Sequence, residues 1–127
     1  MSKGVVLLSG KRVLIVDDEE ELRASLALIF RRRGCIVFEA ATGQSAIEVA
    51  KGNQLDLVVS DVRMPNGTGI ELLEAIRKTN PILPLILLIT GYADLTEEEA
   101  FRKGANALLA KPLDRSKFLA LVEKCLL

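Results

Sequence analysis

Five short apolar runs divide the chain, and the stretches between them carry a different rhythm. The runs are Val13-Leu14-Ile15-Val16, Cys35 to Ala40, Leu55 to Val59, Leu85 to Ile89 and Ala107 to Ala110. The central ones show almost no polar alternation, the pattern of strands buried on both faces of a parallel sheet. Between the runs, apolar residues recur at helical intervals: Leu22, Leu26, Ile29 and Phe30; Ala46, Ile47, Val49 and Ala50; Ile70, Leu73 and Ile76; Phe118, Leu121, Val122 and Cys125. That spacing predicts helices with one face inward.

Start and stop signals fall where these elements need them. Glu19-Glu20-Glu21 opens the first helix as favourable charge at a helix N-terminus, and Arg31-Arg32-Arg33-Gly34 closes it. Thr42 opens the second helix, which ends around Lys51-Gly52, and the third is expected from about Gly69 to Lys78. Asp94, with Glu97 three residues on, reads as a capping box for a helix through Arg102, stopped by Gly104. Asp114 caps the last helix. Val5 to Leu8 is a loose lead-in or a short edge strand before the Ser9-Gly10 break. The chain therefore reads as a lead-in over residues 1–10 and one domain over 11–127. The alternation predicts a (βα)5 α/β fold, flavodoxin-like and doubly wound, with a parallel sheet ordered 2-1-3-4-5.

Composition narrows the chemistry. At 127 residues the chain holds enough interior for one core, and 17 basic against 17 acidic residues leave no net charge. A neutral balance argues against direct nucleic-acid binding and against electrostatic attachment to a membrane. No segment approaches the roughly 18 apolar residues of a membrane span, and nothing has the build of an export signal. The chain has no His, so a zinc site or a His-based triad is nearly excluded. Cys35 and Cys125 read as reduced, small hydrophobes in a cytoplasmic protein.

Four of the five strands end on a polar group: Asp17 and Asp18, Asp61, Thr90, and Lys111. Ligands of open α/β sheets bind outside the carboxyl ends of the strands, at the switch point between strands 1 and 3. Two carboxylates at one strand tip, 4–5 Å apart at an effective dielectric near 20, repel by roughly 3–4 kcal/mol unless a cation compensates. Three carboxylates are balanced by one Lys and one divalent ion. Oxygen-only ligands favour a hard cation such as Mg2+.

The residues around these tips carry a resemblance. Val13-Leu14-Ile15-Val16-Asp17-Asp18-Glu19, Ser60-Asp61-Val62-Arg63-Met64-Pro65, Ile89-Thr90-Gly91-Tyr92 and Ala110-Lys111-Pro112 resemble the receiver domain of bacterial two-component response regulators. The resemblance covers about Lys11 to Leu127. It implies a phosphorelay in which Asp61 is phosphorylated by a sensor histidine kinase or a histidine phosphotransfer protein. By the same resemblance Asp17, Asp18, Asp61 and the backbone carbonyl of Arg63 hold Mg2+, while Thr90 and Lys111 bind the phosphoryl oxygens. Lys111-Pro112 maps onto a peptide bond usually cis. Thr90, Tyr92 and the position of Leu108 would carry the switch to an effector domain or protein that docks on the fourth helix, fifth strand and fifth helix.

Two departures mark this chain within that pattern. Leu108 stands where the family usually has Tyr or Phe, and Lys117 stands where a DNA-binding subgroup has an acid. The motifs lean toward receivers of enhancer-dependent activators or hybrid kinases. The chain closes on its fifth helix, so no effector domain is expected within it. The competing reading is a Mg2+-dependent phosphatase or phosphotransferase with an Asp nucleophile. Such enzymes want a second acid two residues after the nucleophile, where this chain has Arg63, and a lid. An interaction module that is never phosphorylated is disfavoured by the intact acceptor, acid pair and Lys. Flavin binding would need a phosphate cradle where the chain has acids.

Overall fold

The structure, a computed structural model, describes residues 7–64, 66–91 and 95–127. Among the described residues ten elements alternate: β1 (Arg12–Val16), α1 (Glu20–Arg31), β2 (Ile36–Ala40), α2 (Gly43–Gly52), β3 (Leu57–Asp61), α3 (Gly69–Thr79), β4 (Leu85–Thr90), α4 (Glu97–Lys103), β5 (Ala107–Ala110) and α5 (Arg115–Leu126). The sheet is parallel throughout, ordered β2-β1-β3-β4-β5. This is the doubly wound α/β fold that the sequence predicts.

The two faces of the sheet sort by parity. Leu14, Val16, Val58, Ile86 and Leu88 point to one side, where Ala46 of α2, Leu72, Leu73 and Ile76 of α3, and Ala100 of α4 cover them. Val13, Ile15, Leu57, Val59, Leu87 and Ile89 point to the other, under Leu26, Ile29 and Phe30 of α1 and Phe118 and Val122 of α5. Every one of these strand residues is at most 1 % exposed, which is why their runs lack polar alternation. The Phe30 and Phe118 rings meet edge to face at 6.1 Å and join α1 to α5.

Three local expectations need correction. Leu72, fully buried, supplies more of the inward face of α3 than half-buried Ile70. On α5, Leu126 is buried where Leu121 and Cys125 are only partly so. The capping box before α4 is Thr96 with Glu99: the Thr96 hydroxyl accepts from Glu99 N at 3.1 Å, and Glu99 Oε1 accepts from Thr96 N at 3.2 Å. Leu95 just before the cap and Ala100 four residues after it join one core cluster. Apolar residues thus flank the Thr96 cap on both sides, at the spacing of a hydrophobic staple. Asp94 lies outside the described residues, as do Pro65, Tyr92 and the first part of the lead-in. Leu8 is buried and donates its N–H to the Arg33 carbonyl at 2.7 Å.

Candidate functional site

The register aligns the strand tips. Val16 pairs with Ser60, Asp61 with Ile89, and Thr90 with Ala110, so Asp17, Asp61, Thr90 and Lys111 leave the sheet along one edge. Asp17, Asp61 and Thr90 are buried, while Asp18 is exposed. One carboxylate oxygen each from Asp17, Asp18 and Asp61 can be chosen so that all lie within 4.8 Å of one another. Ser60, buried beside the tip of β3, donates its hydroxyl to the Asp61 carbonyl at 2.9 Å.

Lys111 reaches across from β5. Its Nζ donates to Asp61 Oδ2 at 2.7 Å and lies 3.6 Å from Asp17 Oδ2. It is also 3.7 Å from Glu19 Oε1. Glu19 thus differs from its sequence reading: it occupies the N-cap of α1 but makes no side-chain cap bond, and its carboxylate faces the ammonium instead. Burial alone would lower the Lys111 pKa. The hydrogen bond to Asp61 and the charges of Asp17, Asp61 and Glu19 outweigh that and leave it raised.

Asp17 is held from several sides. Its Oδ1 accepts from Glu19 N at 2.8 Å, its N–H donates to the Ala40 carbonyl at 3.2 Å, and its own carbonyl accepts from Arg23 Nη1 at 2.9 Å. Burial raises its carboxyl pKa, and neither the Glu19 N–H nor Lys111 offsets that in full. Nothing in the sequence pattern singles out Arg23, because a lone cation at a helix start reads as a solvated one.

The loop after β3 is tied down as well. Arg63 N donates to Asp61 Oδ1 at 3.3 Å, and Val62 N donates to the Ile89 carbonyl at 2.9 Å. Gly69 opens α3 so close to the tip of β3 that a Cβ there would sit 2.3 Å from the Asp61 carbonyl oxygen. Gly43 N and Gln44 N of α2 donate to the carbonyls of Gly67 and Asn66, both at 3.1 Å. Asn66 and Gly67 both take positive φ, 54° and 102°, to present those carbonyls. The Lys111–Pro112 bond is cis, as is Leu83–Pro84. Leu108, half-buried and paired with Leu88 across the sheet, packs on the cluster that holds Ala100 of α4. Tyr92 is outside the described residues.

The donor set suits a hard divalent ion. One ammonium against three carboxylates leaves two negative charges, and every side chain in the cluster offers oxygen.

Residues 13–123 match the response regulator receiver domain family. Among curated relatives, the chain is 37% identical over 115 residues to the transcriptional regulatory protein ZraR of Escherichia coli, covering 90% of this chain and 26% of that protein. It thus spans about a quarter of that relative's length. A receiver domain protein from Methanospirillum hungatei superposes with a TM-score of 0.85 at 31% identity, covering 93% of this chain and 94% of that one. The response regulator TrrA of Thermotoga maritima, solved in complex with Mg2+ and BeF, gives a TM-score of 0.77 at 28% identity, covering 91% of this chain and 98% of its own. Sequence, fold and the grouping at the sheet edge agree: the chain belongs to the response regulator receiver family of two-component signalling.

Proposed function

We propose that this domain is a phosphorelay switch in which Asp61 accepts a phosphoryl group from a sensor histidine kinase or a histidine phosphotransfer protein in the cytoplasm. The observation that carries the reading is the Lys111 ammonium 2.7 Å from Asp61, beside a cluster of Asp17, Asp18 and Asp61 carboxylates. Asp17, Asp18, Asp61 and the backbone carbonyl of Arg63 would hold Mg2+, which when bound neutralises phosphoryl oxygens.

The remaining work falls to the chain's own groups. A carboxylate oxygen of Asp61 forms the new P–O bond. The bond from phosphorus to the donor nitrogen breaks, and its electron pair leaves with the donor. Lys111 is already charged and placed to follow the phosphoryl oxygens, and the Thr90 hydroxyl is the further donor. Phosphoryl transfer asks for little more than an in-line acceptor and neutralised oxygens. The product is an acyl phosphate that water later cleaves, so the domain signals by the lifetime of one bond. A phosphatase reading is not favoured, because the residue two after Asp61 is Arg63, exposed and cationic. Binding of Mg2+ and BeF by TrrA supports the assignment, as does the receiver family itself.

The direct test is intact mass after treatment with acetyl phosphate and Mg2+. The wild type should gain one phosphoryl group, and Asp61→Asn should gain none while keeping its fold by circular dichroism. Labelling of the variant at full extent would move the acceptor elsewhere.

A further inference from the structure

Beside the acidic pocket lies a salt-bridged frame made by residues outside the four motif stretches quoted above. Arg23, in the first turns of α1, donates Nη1 to the Asp17 carbonyl at 2.9 Å and Nε to Glu39 Oε1 at 3.3 Å. Its side chain is only 18% exposed. Glu39 sits on β2, and its other oxygen accepts from Arg31 Nη2 at 3.0 Å. The next residue of β2, Ala40, accepts the Asp17 N–H. One guanidinium therefore ties the tip of β1 to α1 and β2 at the point where the chain turns toward Asp18. A planar guanidinium suits this, since it donates in two fixed directions at once.

We propose that Arg23 is a positioning residue for the divalent-cation site: it fixes the turn carrying Asp17 and Asp18 through the Asp17 carbonyl, and Glu39 fixes it in turn. The proposal rests on the reading of Asp17, Asp18 and Asp61 as Mg2+ ligands. A second role for the same residue predicts the opposite sign. As a bare charge beside the pocket, Arg23 repels a cation, so its removal would tighten Mg2+ binding. As a positioning group it holds ligands in place, so its removal weakens binding. Partners that orient metal ligands typically cost 10–100-fold in affinity when lost.

Mg2+ is titrated into the wild type, Arg23→Gln, Arg23→Lys and Arg32→Gln, followed by backbone amide shifts well below the melting temperature. The metal-free spectra of each are compared first. Arg23→Gln should bind about tenfold more weakly, and its metal-free amide signals for Asp18 and Glu19 should move. Arg32→Gln removes the same charge from the end of that helix and should leave both unchanged. Arg23→Lys keeps the charge but loses the two-way fork, so it should bind more weakly than wild type, and it serves if the Gln variant does not fold. Unchanged or tighter Mg2+ binding in folded Arg23 variants would overturn the proposal. A wild type that binds no Mg2+ would instead sink the reading of the metal site and leave the frame around Asp17 standing.

Discussion

Asp17 and Asp18 are neighbours in sequence but differ in exposure, and the difference decides what each does to stability. Asp17 is sealed under the β1–α1 turn, with its carboxyl pKa pushed up by burial. Asp18 faces solvent, and its oxygen joins the cluster from the outside. Removing Asp18 relieves repulsion in the metal-free protein without leaving a buried partner unmatched. Asp18→Ala is therefore expected to leave metal-free stability unchanged or raise it by up to about 1 kcal/mol, the scale of exposed charge pairs. Mg2+ affinity should fall by at least about tenfold, since orienting groups alone cost that much. A thermal-shift titration reads both, because stabilisation by ligand follows its concentration relative to Kd. Undiminished stabilisation by Mg2+ in the variant would refute the assignment. At this scale the sequence was informative where a residue type is rare at its position: acids at a strand tip, a Lys before Pro. It read Glu19 as a helix-start charge and was silent on Arg23. Acids and arginines are ordinary at the start of a helix, and only the fold shows that one faces Lys111 and the other Asp17.

Helix α2 carries a glycine near each end, and the two are held to different standards. A Cβ at Gly43 would lie 2.3 Å from the Gly67 carbonyl oxygen, whereas at Gly52 nothing lies within 4 Å. The close approach lets the first N–H groups of α2 donate into the loop after Asp61. These are donors that a helix N-terminus leaves unpaired. Gly43→Ala should therefore cost about 1–3 kcal/mol, the scale of overpacking. Gly52→Ala should gain about 0.4–1 kcal/mol, by narrowing the unfolded ensemble. Urea denaturation of both variants checks the pair, and equal effects of one sign would count against the tight approach. Gly52 is legible in sequence as a stop signal, and Thr42 as a start. Their backbone neighbours are not, because the partner of Gly43 arrives from a loop more than twenty residues on. The same limit explains the capping box at α4. The spacing of Asp94 and Glu97 points to one box, whereas the box that forms is Thr96 with Glu99, flanked by Leu95 and Ala100 on one core cluster.

How a phosphoryl group at one edge could reshape a distant face depends on the whole molecule, and here on Leu108. In the receiver family an aromatic ring at this place turns inward when the hydroxyl at the tip of β4 moves toward the phosphoryl group. This chain has Leu108, half-buried on β5 and packed on the cluster shared by Leu88 of β4 and Ala100 of α4. A leucine has no hydroxyl to exchange between water and a buried acceptor, so its inward and outward positions differ little in polarity. The coupling should then run through Thr90 and the segment that joins it to α4, at the 1–3 kcal/mol typical between sites. Leu108 would contribute packing alone, so Leu108→Ala should cost stability, about 1–2 kcal/mol for a side chain only partly buried. Beryllofluoride with Mg2+ gives the test, with amide chemical shifts recorded for wild type and Leu108→Ala. Changes are expected to cluster between Thr90 and Arg102 and to survive the substitution. If Leu108→Ala still binds beryllofluoride but loses the changes in α4, the leucine itself is the switch, and the signal crosses β5 as it does in the aromatic members of the family.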